Sequence, residues 1–245
     1  MSKAIAIAFG RMQPPTRGHQ LLVQTLQRVA QQDHADAALY LSHTTDPRTD
    51  PLPYAEKLRF ATLAFGSVVK ASSSVTIIAV MQELALKGYT DVIYVAGQDR
   101  LSEFQALLTK YHDRKTYHFN SIKVVSAGQR DPDAPGVMGL SASKMRDAVK
   151  AGDRRAFMDG VPTTLSTADV LKLYYAVRRG MGLPLSEARD VAAHHLMSTD
   201  GLRKNDESGT PGQDSRKNAD ECFERAPTPF WHTLQGALSR PLRTR

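Results

Sequence analysis

The chain has 245 residues, a formal net charge of +7 and 41% hydrophobic residues. That length can bury a sizeable core, and no run approaches the roughly 20 apolar residues that a membrane-spanning helix needs. The single cysteine, Cys222, excludes an internal disulfide and a cysteine-rich zinc site and fits a reducing, cytoplasmic setting.

Ile5 to Phe9 is an apolar run that reads as a buried strand, too short and too soon followed by a glycine turn to be a signal peptide. Beyond Gly10, Leu21, Leu22, Leu26, Val29 and Ala30 recur at helical spacing. Ala37 to Ser42 reads as a second strand, and Thr44 to Pro53 as a Pro- and Asp-rich loop beyond its C-terminal end. Tyr54 to Phe65 is helical by pattern. Val75 to Val80 is rich in β-branched residues and predicts another strand, with a short helix from Met81 to Lys87 after it. Asp91 to Ala96 is the clearest strand, Leu101 to Tyr111 a helix, and Ile122 to Ser126 a further strand. Ser141 to Ala151, Arg154 to Asp159 and Ser166 to Arg179 close this part as helices.

Strands alternating with helices predict an α/β fold with a parallel sheet covered on both faces. Ligands in such sheets bind beyond the carboxyl ends of the strands, so the loops after Phe9, Ser42, Ala96 and Ser126 should meet on one rim. The pattern divides the chain into a domain over residues 1–183 and an appendage over 184–245. In the appendage, Ser186 to Met197 predicts one more helix, and 198–229 has the composition of a disordered stretch. Phe230, Trp231 and Leu234 then form an apolar knot suited to docking, on the chain's own domain or on a partner.

Four stretches carry candidate chemistry. In Gly10-Arg11-Met12-Gln13-Pro14-Pro15-Thr16-Arg17-Gly18-His19 a strand passes through a tight loop into a helix. Free backbone N–H groups and the positive end of the helix dipole make such a place a phosphate site. Arg11, Arg17 and His19 are expected to add donors, Gly18 to permit close approach, and Thr16 to cap the helix while facing the phosphate. In Gly139-Leu140-Ser141-Ala142-Ser143-Lys144-Met145-Arg146, Ser141 and Ser143 are expected to cap a second helix, and Lys144 and Arg146 to project charge. Gly97-Gln98-Asp99-Arg100 follows the clearest strand, with Asp99 a plausible N-cap. Asp50-Pro51-Leu52-Pro53-Tyr54-Ala55-Glu56-Lys57 lies near His43 and Thr44 on the expected rim. Residues 199–245 hold eight Lys/Arg against seven Asp/Glu, so six of the seven excess positive charges lie in residues 1–198. That field favours polyphosphates and equally attracts nucleic acid. No histidine cluster has zinc-ligand spacing.

These stretches resemble the motifs of the HxGH nucleotidyltransferase superfamily, in its cytidylyltransferase-like branch. Gly10-Arg11-Met12-Gln13-Pro14 followed by Thr16-Arg17-Gly18-His19 most resembles G-R-F-Q-P-x-H-x-G-H of nicotinamide mononucleotide adenylyltransferases. Met12 stands for Phe and Thr16 for the first His, as in phosphopantetheine adenylyltransferases. Leu140 to Arg146 resembles I-S-S-T-x-I-R, with Ala142 in place of the second Ser. Asp50 to Lys57 resembles N-P-(F/L)-(S/T)-x-x-E-R, with Lys57 where Arg is usual.

The resemblance covers roughly residues 3 to 180 and implies a Rossmann-like domain that moves AMP from ATP to a phosphate-bearing acceptor. Nicotinamide mononucleotide is the first choice, giving NAD and pyrophosphate. It implies that His19, Thr16, Arg11 and Arg146 are catalytic and that Phe9, Gly10, Gly18, Gly97, Asp99, Ser141, Ser143 and Lys144 bind the nucleotide. His43, Thr44 and Lys57 would bind the acceptor. Magnesium would be held mainly by phosphates and water, with no protein ligand. A homo-oligomer without membrane attachment is expected, with a protein contact through Phe230, Trp231 and Leu234. Phosphopantetheine adenylylation and cytidylyl transfer are the close alternatives. A class I aminoacyl-tRNA synthetase and a catalytically weak nucleotide-binding scaffold are the readings from other classes.

Overall fold

The computed structural model describes residues 3–113, 116–128 and 141–184. All belong to residues 1–202, which form one compact unit. The expected helix at 186–197 and the Phe230, Trp231 and Leu234 cluster lie outside the described residues.

Four strands form one parallel sheet: β1 (Ala4–Gly10), β2 (Asp36–Leu41), β3 (Asp91–Ala96) and β4 (Ser121–Ser126). Their order is β2-β1-β3-β4. The register pairs Gly10 with Leu41, Ile7 with Tyr94 and Ala96 with Ser126, so the strands end close to one line. Apolar residues at both parities of β1 and β3 are what a sheet covered on both faces requires. Ala6, Ala8, Leu39, Ile93 and Val95 face α1 (Arg17–Gln32) and α2 (Tyr54–Phe65). Ile5, Ile7, Tyr40, Val92 and Tyr94 face α3 (Ile77–Leu86) and α4 (Leu101–Asp113). The protein is thus an α/β, Rossmann-like fold, with the chain crossing from the β2 side of β1 to the β3 side through α2 and α3.

The strand expected over Val75 to Val80 is not one. Thr76 is instead the N-cap of α3, its hydroxyl accepting from Ala79 N at 3.2 Å, and Ile77, Val80, Met81 and Leu84 are buried. Those four recur at i, i+3, i+4 and i+7, one helical face. Burying such side chains is worth roughly 1.5–3 kcal/mol each, against a β-propensity range of about 1 kcal/mol, so the packing decides. β-branching is only a preference. The spacing is the stronger signal.

Three more helices, α5 (Ala142–Ala151), α6 (Arg154–Gly160) and α7 (Thr167–Gly180), build a third core from Met145, Val149, Phe157, Leu173 and Tyr174 with Leu52 and Phe60. Ser141, Asp153 and Ser166 cap their starts. Leu165 packs against both this core and the α1–α2 core. Gly180 is required by close approach: a Cβ there would sit 2.0 Å from the Pro51 carbonyl oxygen. The Arg179–Glu56 ion pair adds a second tie between α7 and α2. Both ties hold the loop before α2 where the site needs it. No helix among the described residues is long and apolar enough to cross a membrane.

Candidate functional site

The strand order reverses at β1: the chain moves first to β2 on one side and later to β3 on the other. Loops leaving β1 and β3 therefore part from each other and open a crevice at their C-terminal ends, the usual ligand position in open α/β sheets. A cleft lies there. Its floor and walls include Phe9, Gly10 and Arg11 after β1, Gly97 and Asp99 after β3, and Ser141, Ser143 and Arg146 at the start of α5.

Thr16 closes the β1–α1 loop as the N-cap of α1, with extended backbone at φ −131° and ψ 168°. Its Oγ1 accepts from His19 N at 3.3 Å, and His19 Nδ1 accepts from Thr16 N at 3.1 Å, a reciprocal capping box. Thr16 Oγ1 lies 3.0 Å from the same Nδ1. With Nδ1 taken up as an acceptor, the ring proton sits on Nε2. The box thus fixes both the ring's orientation and its tautomer at the positive end of the helix, and Thr16 and His19 both line the cleft.

Gln13 ties the loop to its surroundings. It is 2% exposed, its Nε2 donates to Leu52 O at 2.7 Å, and its Oε1 accepts from Leu52 N at 2.8 Å. Its own carbonyl accepts from Arg146 Nη1 at 2.8 Å. One buried amide therefore joins the β1–α1 loop to the loop before α2 and to α5. Met12, next to it, is fully buried at φ 49°, a left-handed backbone that costs a residue with a side chain roughly 1–3 kcal/mol. The core contacts of its side chain and the Gln13 bonds hold it there.

Arg146 spends its second Nη on Ser143 Oγ at 3.0 Å. Burial lowers its pKa, the nearby Arg11 charge lowers it further, and Asp50 pulls it back up. Arg11 is exposed and lies 3.6 Å from Asp50 Oδ1, while the Asp50 side chain is 8% exposed. The cleft thus concentrates cationic and N–H donors, the inventory an oxyanion or phosphate calls for.

Several expectations change. Arg17 does not join the loop's donors; its Nε donates to Val161 O at 3.4 Å. Ser141 alone caps α5, through Lys144 N at 3.2 Å, whereas Ser143 serves Arg146. Asp99 is not the N-cap of α4 but sits inside the short 3₁₀ turn Gln98–Arg100 that precedes it. Gly18 lies in the first turn of α1 and Lys144 is exposed, and neither lines the cleft.

The three residues expected to bind the acceptor also lie apart from the cleft wall. His43 stacks on Tyr54 with ring centroids 3.7 Å apart, and its Nε2 is 2.9 Å from Ser72 O. Thr44 Oγ1 is 3.0 Å from Ser42 Oγ. Lys57 is fully buried; its ammonium donates to Ser42 O at 2.6 Å, to Thr44 O at 3.2 Å and to Ser42 Oγ at 3.4 Å. Burial lowers its pKa to about 8, against the opposing pull of Asp50. In place of Arg, this Lys holds its own loop. Gln13, Thr49 and Asp50 also line the cleft; the sequence did not single them out by role, although Gln13 and Asp50 stood within the quoted motifs.

No protein-family model and no curated protein matches this chain. Among solved structures it is similar to a candidate nicotinate-nucleotide adenylyltransferase from Vibrio parahaemolyticus, at 17% identity and TM-score 0.44, covering 71% of this chain and 99% of that one. It is also similar to TmcAL of Thermotoga maritima without ligand, at 12% identity and TM-score 0.43, covering 74% of this chain and 57% of that one. The same protein with alpha-thio ATP bound gives 11% identity, TM-score 0.41 and coverages of 74% and 56%.

Proposed function

We propose that the chain is an adenylyltransferase that moves AMP from ATP to a phosphate-bearing acceptor, with nicotinamide mononucleotide the first choice. The observation that carries this reading is the Thr16–His19 capping box, set at the positive end of α1 on a cleft at the strand-order reversal. Its Nε2–H donor, the helix-start amides and the Arg11 and Arg146 guanidiniums are groups that a triphosphate would take up together.

In the proposed reaction an acceptor phosphate oxygen attacks the α-phosphorus of ATP. The bond from that phosphorus to the α–β bridging oxygen breaks, and the pair leaves with pyrophosphate. His19 donates to the oxygen that gains charge at the α-phosphate, while Arg11 and Arg146 hold the β- and γ-phosphates. Positioning and charge stabilisation suffice without a covalent intermediate. Magnesium would enter with the triphosphate and offset its charge. Phosphates and water would be its main ligands, as is usual for this ion with a nucleoside triphosphate. Asp99, exposed on the cleft wall, is an oxygen donor suited to a hydrated hard cation.

Incubating the full chain with ATP or CTP and a panel of acceptors tests the reading. Nicotinamide mononucleotide, nicotinate mononucleotide and phosphopantetheine form the panel, and pyrophosphate and the coupled product are measured together. ATP with nicotinamide mononucleotide should give equal amounts of pyrophosphate and NAD. Absence of pyrophosphate release with every nucleotide–acceptor pair would overturn the reading in favour of a nucleotide-binding scaffold.

A further inference from the structure

One buried carboxylate on the cleft wall, Asp50, lies close to three cations: Arg11 and Arg146, which also line the cleft, and Lys57, which does not. Asp50 is 5% exposed, and its Oδ1 is buried without a hydrogen-bond partner among the described residues. Arg11 Nη1, at 3.6 Å, is within ion-pair range yet beyond hydrogen-bond reach. The backbone of Asp50 is fixed. It bonds in both directions to Asp46, at 2.8 and 2.9 Å, and its neighbour Leu52 is held twice by Gln13. The Arg11 side chain, by contrast, is 64% exposed. Of this pair the carboxylate is the fixed partner, and the guanidinium is the one with room to turn.

The other two cations are occupied. Arg146 is bonded to Gln13 O and Ser143 Oγ. Lys57 is bonded to the oxygens of Ser42 and Thr44. Both feel the Asp50 charge, but no hydrogen bond joins either to it. A phosphate arriving in the cleft would meet Arg11 already paired with an anion that cannot follow it.

We propose that Asp50 is a built-in counter-ion that a ligand phosphate displaces from Arg11. The inference rests on the phosphate-binding reading of the cleft. In the empty cleft the carboxylate offsets the mutual repulsion of Arg11 and Arg146. When a phosphate binds, Arg11 turns from Asp50 to the phosphate, and when pyrophosphate departs the guanidinium returns. Asp50→Asn keeps the side chain's size and removes its charge, so that variant isolates the charge.

Titration calorimetry with inorganic tripolyphosphate tests the exchange on the full chain, its Asp50→Asn and Arg11→Ala variants, and the double variant. Asp50→Asn should tighten tripolyphosphate binding about 2- to 5-fold, the scale of losing one competing ion pair. Arg11→Ala should weaken it, and in that background the Asp50→Asn gain should shrink to below about 2-fold, because the two residues act on each other. Asp50→Ser removes the same charge with a different shape and should reproduce the gain, which separates charge from packing. Weaker binding by Asp50→Asn would overturn the inference by making the carboxylate a support for the ligand. An equal gain with and without Arg11 would overturn it too, by making the effect a general field. Wild-type protein that binds no tripolyphosphate would instead overturn the phosphate-binding reading beneath it.

Discussion

The cleft wall and the segment that leads into α2 use the same kinds of residue in opposite directions. On the wall made by the β1–α1 loop and α5, side chains hold neighbouring motif residues in place. Thr16 fixes His19, Ser143 fixes Arg146, and Gln13 ties both loops together. In the loop after β2 and the first turn of α2, the motif residues turn inward. Lys57 is consumed by Ser42 and Thr44, and His43 by Tyr54 and Ser72. A motif therefore places a residue in the fold, while the backbone acceptors within reach decide where its charge points. Arg has a longer reach and a planar fork; Lys57, a compact point charge, fits a pocket of carbonyls.

The sharpest way to break this contrast is at His19. His19→Ala should lower turnover by at least about 100-fold, the loss typical of a donor to developing oxyanion charge at ~3–4 kcal/mol. Thr16 still caps α1, so the melting temperature should move only a little. Rate and melting measured on the same sample decide it. An active variant would make the capping box purely structural and erase the difference between the two segments.

Lys57 offers the next largest effect, on stability. Its pKa falls from the ordinary 10.5 to about 8 in the folded protein, so between those values the unfolded chain binds more protons. Stability must then rise with pH through that window, by roughly 3 kcal/mol in total, as the penalty of burying the charge is relieved. Lys57→Met lacks the group, so the stability difference between wild type and variant should change by that amount from pH 8 to 10.5. Denaturant melts across the window measure it. A difference that stays flat, or a variant that folds normally but loses acceptor affinity more than tenfold, would place the ammonium on the ligand.

Most of the fold was legible because periodicity reports burial directly. β1, β3 and the face of α1 follow from their apolar spacing alone. Ile77 to Val80 misled because local β-branching was weighed above the i, i+3, i+4, i+7 recurrence that continues to Leu84. In the site, Thr16, His19 and Arg146 could be placed from motif and helix-start logic. The inward turn of Lys57, the Gln13 clamp and the buried Asp50 could not be read this way. Each depends on contacts between residues 15 to 39 positions apart in the chain, which no local pattern encodes.

Arg146→Ala sharpens the comparison on the ordered wall. A charged hydrogen-bond donor to phosphate is worth about 1.5–3 kcal/mol, so ATP affinity should fall roughly 10- to 100-fold. AMP lacks the β- and γ-phosphates and should lose much less. Arg146→Lys should recover only part of the loss, because a point charge cannot serve Gln13, Ser143 and a phosphate together. Equal losses for ATP and AMP would move Arg146 away from the outer phosphates.

The smallest effect is expected at Arg17, two residues before His19. By sequence it belongs with the loop's cations, but its Nε donates to Val161 O at 3.4 Å, the weak end of hydrogen-bond range, so the side chain turns to the segment before α7. Arg17→Ala removes one charge from the start of α1 without removing a donor from the cleft. ATP affinity should therefore change by less than about 2-fold, and stability by no more than ~0.5 kcal/mol, as for most surface substitutions. Isothermal titration of ATP against Arg17→Ala and Arg11→Ala side by side gives the contrast directly. A tenfold loss at Arg17 would mean that its side chain swings into the cleft on binding, and that hydrogen-bond partners in the ligand-free protein do not foretell where a cation acts.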